Sequence, residues 1–361
     1  MTAILFILVI SLLIFIHELG HFIMAKRAGM RVEEFGFGFP PRLWGVTRGE
    51  TVYSINWIPF GGFVKVFGED GEHAASPRSF SAGTAWQRFA VLVAGIVMNF
   101  LLAVVFLTVN NAVGVRTALD EADQAMIAAA THKAVYIARV APESPAEAAG
   151  MRTLDVLVSA RRGDVLQSIM TAADVQTFTN TYKGETVQFT LKRGEEMLVR
   201  DVALRADPPV GQGPLGISPL LIGKVSHPWY EAPLRGFLDA ARLTWVTVQG
   251  YASLLAQLVT TGTVSADLSG PIGIASLTGQ AARVGWDYLI QFIAMISINL
   301  AVLNAFPFPA LDGGRILFLA IEKIRGAPLA HTTEGLVNGV GFLVLLLAMI
   351  LITARDVMQL F

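Results

Sequence analysis

Five consecutive residues, His17-Glu18-Leu19-Gly20-His21, hold the clearest chemical signal in this chain. On a helix, residues four apart project from one face, so His17 and His21 can share a metal ion. Glu18 stands beside them as a carboxylate able to take a proton from water, a combination suited to metal-assisted hydrolysis. A catalytic zinc usually needs a third protein ligand, and with no cysteine in the chain it must come from His, Asp or Glu. His73, His132, His227 and His331 lie in polar loops and read as solvated. Asp312 is the better candidate. It closes Asn304-Ala-Phe-Pro-Phe-Pro-Ala-Leu-Asp312, an apolar run broken by Pro307 and Pro309, and such breaks at membrane depth are tolerated where they line a cavity. The competing reading of Asp312 is a helix N-cap, which needs only a surface turn.

The elements that must position these groups are membrane helices. Four apolar stretches, 3–25, 89–109, 288–308 and 336–353, approach the roughly 20 residues that span a bilayer core. Hydrophobic residues make up 53% of the 361, charged residues 15%, and mean hydropathy is +0.56. That balance excludes both an ordinary soluble enzyme and a disordered chain. With 27 basic and 28 acidic residues the net charge is −1, so no basic excess points to nucleic acid. Ionisable groups within a spanning helix cost about 2.5–3.5 kcal/mol each on insertion scales, which argues that His17, Glu18 and His21 are functional.

Charge fixes the expected topology. The first stretch has no basic leader and carries Lys26 and Arg27 at its far end, so it reads as a retained helix ending in the cytoplasm. Arg88 starts the second helix on that side, and Asp120, Glu121 and Asp123 follow its exit. Residues 115–285 are then extracytoplasmic. Leu243–Thr260 is diluted by Gln249, Gln257 and hydroxyl residues and reads as an amphipathic interfacial helix, because a crossing there would put Asp312 on the wrong face. At 1.5 Å per residue His17 lies roughly 12 Å inside the cytoplasmic end of its helix, at the depth where the third span delivers Asp312.

Between the helices, residues 134–207 carry charges, turns and short β-rich runs, so a soluble domain is expected there. Its strands are expected at 135–140, 155–159, 186–192 and 198–204, with a short helix near 145–149. Pro208, Pro209, Gly211, Gly213 and Pro214 read as its exit linker.

These features together resemble the site-2 protease family of intramembrane zinc metalloproteases, in its bacterial RseP-like branch. The carriers are HELGH at 17–21, EFGFGFPPRLW at 34–44, IPFGGFVKVFGED at 58–70 and NAFPFPALDGGRI at 304–316, with weaker support from LSGPIGIA at 268–275 and EKIRGAPL at 322–329. The resemblance implies Zn2+ held by His17, His21 and Asp312, with Glu18 as catalytic acid/base. It also implies a bacterial inner-membrane location and a PDZ-like middle domain, with SPAEAAGM at 144–151 opening its helix. Two positions depart from the family. AGIVMN at 94–99 lacks the usual proline after glycine, and Leu154-Asp155 stands where Gly-Asp is usual.

The expected fold is therefore a multi-pass α-helical membrane protein: helix 1 (1–27), a re-entrant β-hairpin region (28–87), helix 2 (88–112), one extracytoplasmic PDZ-like α+β domain (134–207), a linker with the interfacial helix (208–286), helix 3 with the LDG motif (287–320), and a loop with helix 4 (321–361). A substrate helix must be unwound to be cut, and Gly61, Gly62, Phe63, Val64 and Lys65 can form a strand edge that holds it extended; an ordinary hairpin is the alternative. Gly36 and Gly38, among Phe35, Phe37 and Phe39, suggest a hairpin dipping into the bilayer or an aromatic anchor on its surface. Asn304 is expected to hold the substrate backbone or a developing oxyanion, the alternative being a bond that ties down the broken helix.

The expected activity is the second cut of regulated intramembrane proteolysis, on single-span proteins such as anti-sigma factors or remnant signal peptides. The PDZ-like domain would exclude bulky ectodomains. The other classes are a membrane scaffold with a structural metal site, which has no use for Glu18, and an ion transporter, for which inverted repeats or several buried charges are missing.

Overall fold

The structure, a computed structural model, describes residues 2–69, 76–262, 270–327 and 329–358, and of Ala125 and His331 the backbone only. His73, Asp70, Leu268, Ser269 and Pro328 lie outside the described residues, as does the side chain of His331. The chain forms two compact units, one of residues 1–110 with 229–361, the other of residues 111–228.

The first unit opens with α1 (Thr2–Arg27), an apolar run with Lys26 and Arg27 in its last turn, where cations complement the helix dipole. β1 (Val32–Arg48) and β2 (Thr51–Val66) pair antiparallel, and both strands bend so that four segments lie side by side. Residues 32–37 are central, paired through Phe37 to Gly62 on one side and to Ile55 on the other, while 42–48 pairs back onto 51–56. Segment 62–66 is thus an outer strand with no strand on its other side among the described residues. It leans on α1. A Cβ on Gly61 would stand 2.7 Å from the Ile14 side chain, and the Gly61 N–H donates to Ser11 Oγ at 3.2 Å. At the far end Trp44, Trp57, Ile58 and Phe60 are exposed. α2 (Ala85–Val113) follows.

The second unit holds a seven-stranded sheet. Its elements run β3 (Val115–Ala118), α3 (Gln124–Ala129), β4 (Thr131–Val140), α4 (Pro145–Ala148), β5 (Val156–Arg162), β6 (Val165–Ser168), α5 (Ala172–Thr181), β7 (Thr186–Arg193), β8 (Glu196–Ala203) and β9 (Ile217–Val225). The strand order is β3-β9-β4-β5-β7-β8, with β6 on β5. Its core includes Ile137, Leu157, Phe178, Phe189 and Leu191. The expected bounds of 134–207 are too narrow. β9 lies beyond the Pro/Gly run that reads as an exit linker, yet returns to the sheet between β3 and β4, a long-range pairing that no local pattern announces.

The chain then re-enters the first unit as α6 (Ala232–Thr261), α7 (Pro271–Val284), α8 (Trp286–Ala305), α9 (Asp312–Arg325) and α10 (His331–Met358). α6 starts eleven residues before the expected Leu243 and packs along α2 and α8, with Phe237 edge-on to Phe100 and Tyr251 Oη donating to Asn299 Oδ1 at 3.0 Å. Among the described residues four helices are long and apolar enough to cross a membrane: α1, α2, α8 and residues 332–358 of α10. α8 stops at Ala305, three residues short of the expected Phe308.

Candidate metal centre

α1 brings the two histidines together as their spacing requires, with Nε2 atoms 3.2 Å apart and both residues buried. The third member comes from α9. Asp312 Oδ2 lies 3.0 Å from His17 Nε2 and 3.4 Å from His21 Nε2. An ion held tetrahedrally at about 2.0–2.1 Å from nitrogen and oxygen ligands sets those atoms about 3.3 Å from one another. The triangle fits. Asp312 Oδ2 is moreover buried without an accepted hydrogen bond, an orphaned acceptor that a cation would satisfy. These three are the group of His and carboxylate residues able to share one ion among the described residues. His132 and His227 belong to the second unit and take no part.

The connector between α8 and α9 explains how Asp312 arrives. Pro307 and Pro309 cannot continue the helix, so the chain doubles back from Phe306 to Leu311, with the Phe308 N–H donating to Phe306 O at 2.7 Å. α9 begins tightly against that connector. A Cβ on Gly313 would stand 2.5 Å from Ala305 O, and one on Gly314 would collide with Phe308 O, so only glycine fits at either position. Asp312 is the first residue of the helix, not its cap. The N-cap is Leu311, which provides no side-chain bond, so the capping alternative for Asp312 fails.

The outer ring nitrogens are held as well. His21 Nδ1 lies 2.8 Å from Val91 O, so it carries the proton there and leaves Nε2 as a free donor pair for a metal. His17 Nδ1 lies 3.2 Å from the side-chain amide of Asn99, which is fully buried on α2. Gly95, also on α2, leaves the room the pair needs, since a Cβ there would lie 2.5 Å from His21 Nε2 and 2.8 Å from His17 Nε2.

Glu18 faces a cavity of about 130 Å³, shared with His21, Asp312, Val64, Glu69 and Arg315. No hydrogen bond occupies its carboxylate among the described residues. Of the expected substrate residues, Val64 lines this cavity, Phe63 stacks on Phe39 with centroids 6.5 Å apart, and Lys65 pairs with Glu33 at 2.9 Å. Asn304 is half-buried in the last turn of α8, bonds to no described group and does not line this cavity, so the helix-tying alternative has no bond behind it. Sequence reasoning missed the Val91 carbonyl, Gly95, and the pair Glu69–Arg315. Glu69 and Arg315 sit within IPFGGFVKVFGED and NAFPFPALDGGRI, five residues after Val64 and three after Asp312. In the second unit a separate groove of about 490 Å³ runs between α5 and the 211–219 segment, lined by Val175, Thr179, Leu215 and Ile217.

Comparison with known proteins gives a consistent picture. The family model of peptidase family M50 matches residues 5–348. The chain is 35% identical to a candidate zinc metalloprotease of Clostridium perfringens, with 97% of each chain covered. It is 30% identical to the zinc metalloprotease RasP of Oceanobacillus iheyensis, over 100% of this chain and 99% of that one. With RasP of Geobacillus kaustophilus the identity is 31%, over 99% and 97%.

Proposed function

Because this chain belongs to peptidase family M50, the site-2 protease family, and is a zinc metalloprotease, we propose that it hydrolyses peptide bonds within the transmembrane segments of single-span membrane proteins. The observation that carries this reading is the His17–His21–Asp312 triangle, in which two buried histidines of the membrane-length α1 meet Asp312 of α9, with the Glu18 carboxylate next to it. A structural zinc site would use four protein ligands and no neighbouring base, so the scaffold reading leaves Glu18 without a purpose.

His17, His21 and Asp312 would hold the ion, which supplies a Lewis acid and a more acidic water. Glu18 accepts a proton from the water whose oxygen attacks the scissile carbonyl carbon, then returns it to the amide nitrogen as the carbon–nitrogen bond breaks. Water must reach this point inside a bilayer, and the polar cavity beside Glu18 is the space for it. Asn304, whose amide bonds to no described group near the broken end of α8, would hold the substrate backbone or the developing oxyanion as the substrate enters.

A substrate helix hides its scissile bonds in its own hydrogen bonds and has to be drawn out. The outer strand 62–66 has no strand on the side away from residues 32–37 among the described residues, and its Val64 lines the cavity of Glu18, so it is the edge beside which a substrate would be drawn out. The exposed Trp44, Trp57, Ile58 and Phe60 at the sheet's other end suit immersion in lipid. The basic residues Lys26, Arg27, Arg88 and Lys323 support a site that faces the cytoplasm of a bacterial inner membrane, with residues 111–228 outside it.

In this reading residues 111–228 form a PDZ-like filter that admits substrates whose ectodomain has already been trimmed, making this the second cut of regulated intramembrane proteolysis. Anti-sigma factors and remnant signal peptides are substrates of that kind. Removal of 111–228 then permits cleavage of untrimmed substrates, and unchanged selectivity would refute the filter. The protease reading itself is tested by sequencing the product ends from a single-span substrate in detergent. New termini inside the span support it, and termini confined to the flanking soluble segments contradict it.

A further inference from the structure

Glu69 and Arg315, 246 residues apart, form an ion pair in the wall of the cavity that contains Glu18, His21 and Asp312. Arg315 follows Asp312 by three residues on α9, so the guanidinium and the candidate ligand rise from one helix face a turn apart. A guanidinium is a rigid fork matched to carboxylates, and an unrestrained one here has Asp312 within a turn. Among the described residues, Asp312 and Glu334 also act on Arg315 through their charge, and it is Glu69 that it engages.

Glu69 is itself held from outside the centre. It follows Gly68, whose φ of +70° makes the turn after β2. The hydroxyl of Ser81 donates to Gly68 O at 2.7 Å, the Phe67 N–H donates to Arg31 O at 2.9 Å, and the Phe80 N–H donates to Phe67 O at 2.9 Å. The carboxylate is therefore presented to Arg315 from a pinned turn rather than from a free loop.

We infer that Glu69 is a positioning residue for the metal centre: by engaging Arg315 it keeps the guanidinium off Asp312 and leaves that carboxylate available to the ion. The inference rests on the metal reading given under Proposed function. Glu69→Gln would release Arg315 to compete for Asp312, while Arg315→Gln removes the competitor and makes Glu69 dispensable. A pair that merely stapled the β2 turn to α9 would behave differently, since losing either partner or both would weaken the centre alike.

The test measures zinc affinity of the full chain in detergent by competition with a chromogenic chelator, with His17→Ala as the variant lacking a ligand. Partners of metal ligands typically cost about 10- to 100-fold in affinity when removed, and that loss is expected for Glu69→Gln. Arg315→Gln should remain near wild type, and Glu69→Gln/Arg315→Gln should recover to within about threefold of it, a non-additive rescue. An unchanged Glu69→Gln, or a double variant as weak as Glu69→Gln alone, overturns the inference. Wild type binding zinc no better than His17→Ala overturns the metal reading beneath it.

Discussion

The side-chain amide of Asn99 lies 3.2 Å from His17 Nδ1, on the side of the ring away from Asp312. With Oδ1 turned to the ring, the amide accepts the Nδ1 proton of the tautomer that leaves Nε2 free, and its otherwise unpartnered oxygen gains a partner. Asn99 in turn is held through its backbone, whose carbonyl accepts from Ser297 Oγ at 2.8 Å.

Asn99→Ala should therefore lower zinc affinity by about 10- to 100-fold, as loss of a ligand's partner typically does. Chelator competition on the purified protein checks it. Equal affinity in both proteins would mean that Asn99 serves only packing between α2 and α8.

Gly95→Ala should be more severe, because the added Cβ would stand 2.5 Å from one ligand nitrogen and 2.8 Å from the other. Neither ring can retreat far in a buried site without losing its outer bond. Metal content below a tenth of wild type, with helix content unchanged by circular dichroism, is the expected result.

In the second unit Asp155 is buried and gripped by Arg193 through two bonds of 2.7 and 2.8 Å, and it accepts the Arg152 N–H at 2.8 Å. Burial pushes its carboxyl up, but Arg193 and the Arg152 N–H outweigh burial and hold it below the ordinary aspartate range. A depressed carboxyl stabilises fully above its unfolded value of about 3.9 and loses that stabilisation as pH falls through the lower folded value. Arg193→Gln leaves a buried charge and should cost about 3 kcal/mol at neutral pH. Its acid unfolding should also begin at higher pH, read by hydrogen exchange in β5 and β7. An unshifted acid transition would show that Arg193 does not set the Asp155 carboxyl.

How much of this was legible before folding differs by region. The pentapeptide fixed both imidazoles because helical spacing of four residues is itself a geometry. Asp312 could be reached because two prolines break an apolar run, and a broken helix at membrane depth needs a reason. Gly95 and Asn99 lie in AGIVMN, a segment marked only by the family resemblance, and there only through its missing proline, since nothing local distinguishes a buried amide or glycine that meets a partner on α1. α5 was missed although Thr171 and Asp174 form a capping box at its start, a signal present in the sequence. Leu154, which departs from the glycine usual there, adopts a φ of +71°, so the backbone keeps the glycine conformation that the residue type concealed. β9 stayed hidden because its partners, β3 and β4, lie far back in the chain.

The central claim is that Glu18 moves the proton while His17, His21 and Asp312 hold the ion, and Glu18→Gln separates the two roles. Cleavage of a single-span substrate with a truncated ectodomain should be measured alongside bound zinc, for wild type and variant in the same detergent. The account predicts unchanged zinc content with turnover reduced by about 100- to 10,000-fold, the usual contribution of a general acid/base. Turnover surviving in a zinc-loaded Glu18→Gln protein would contradict it.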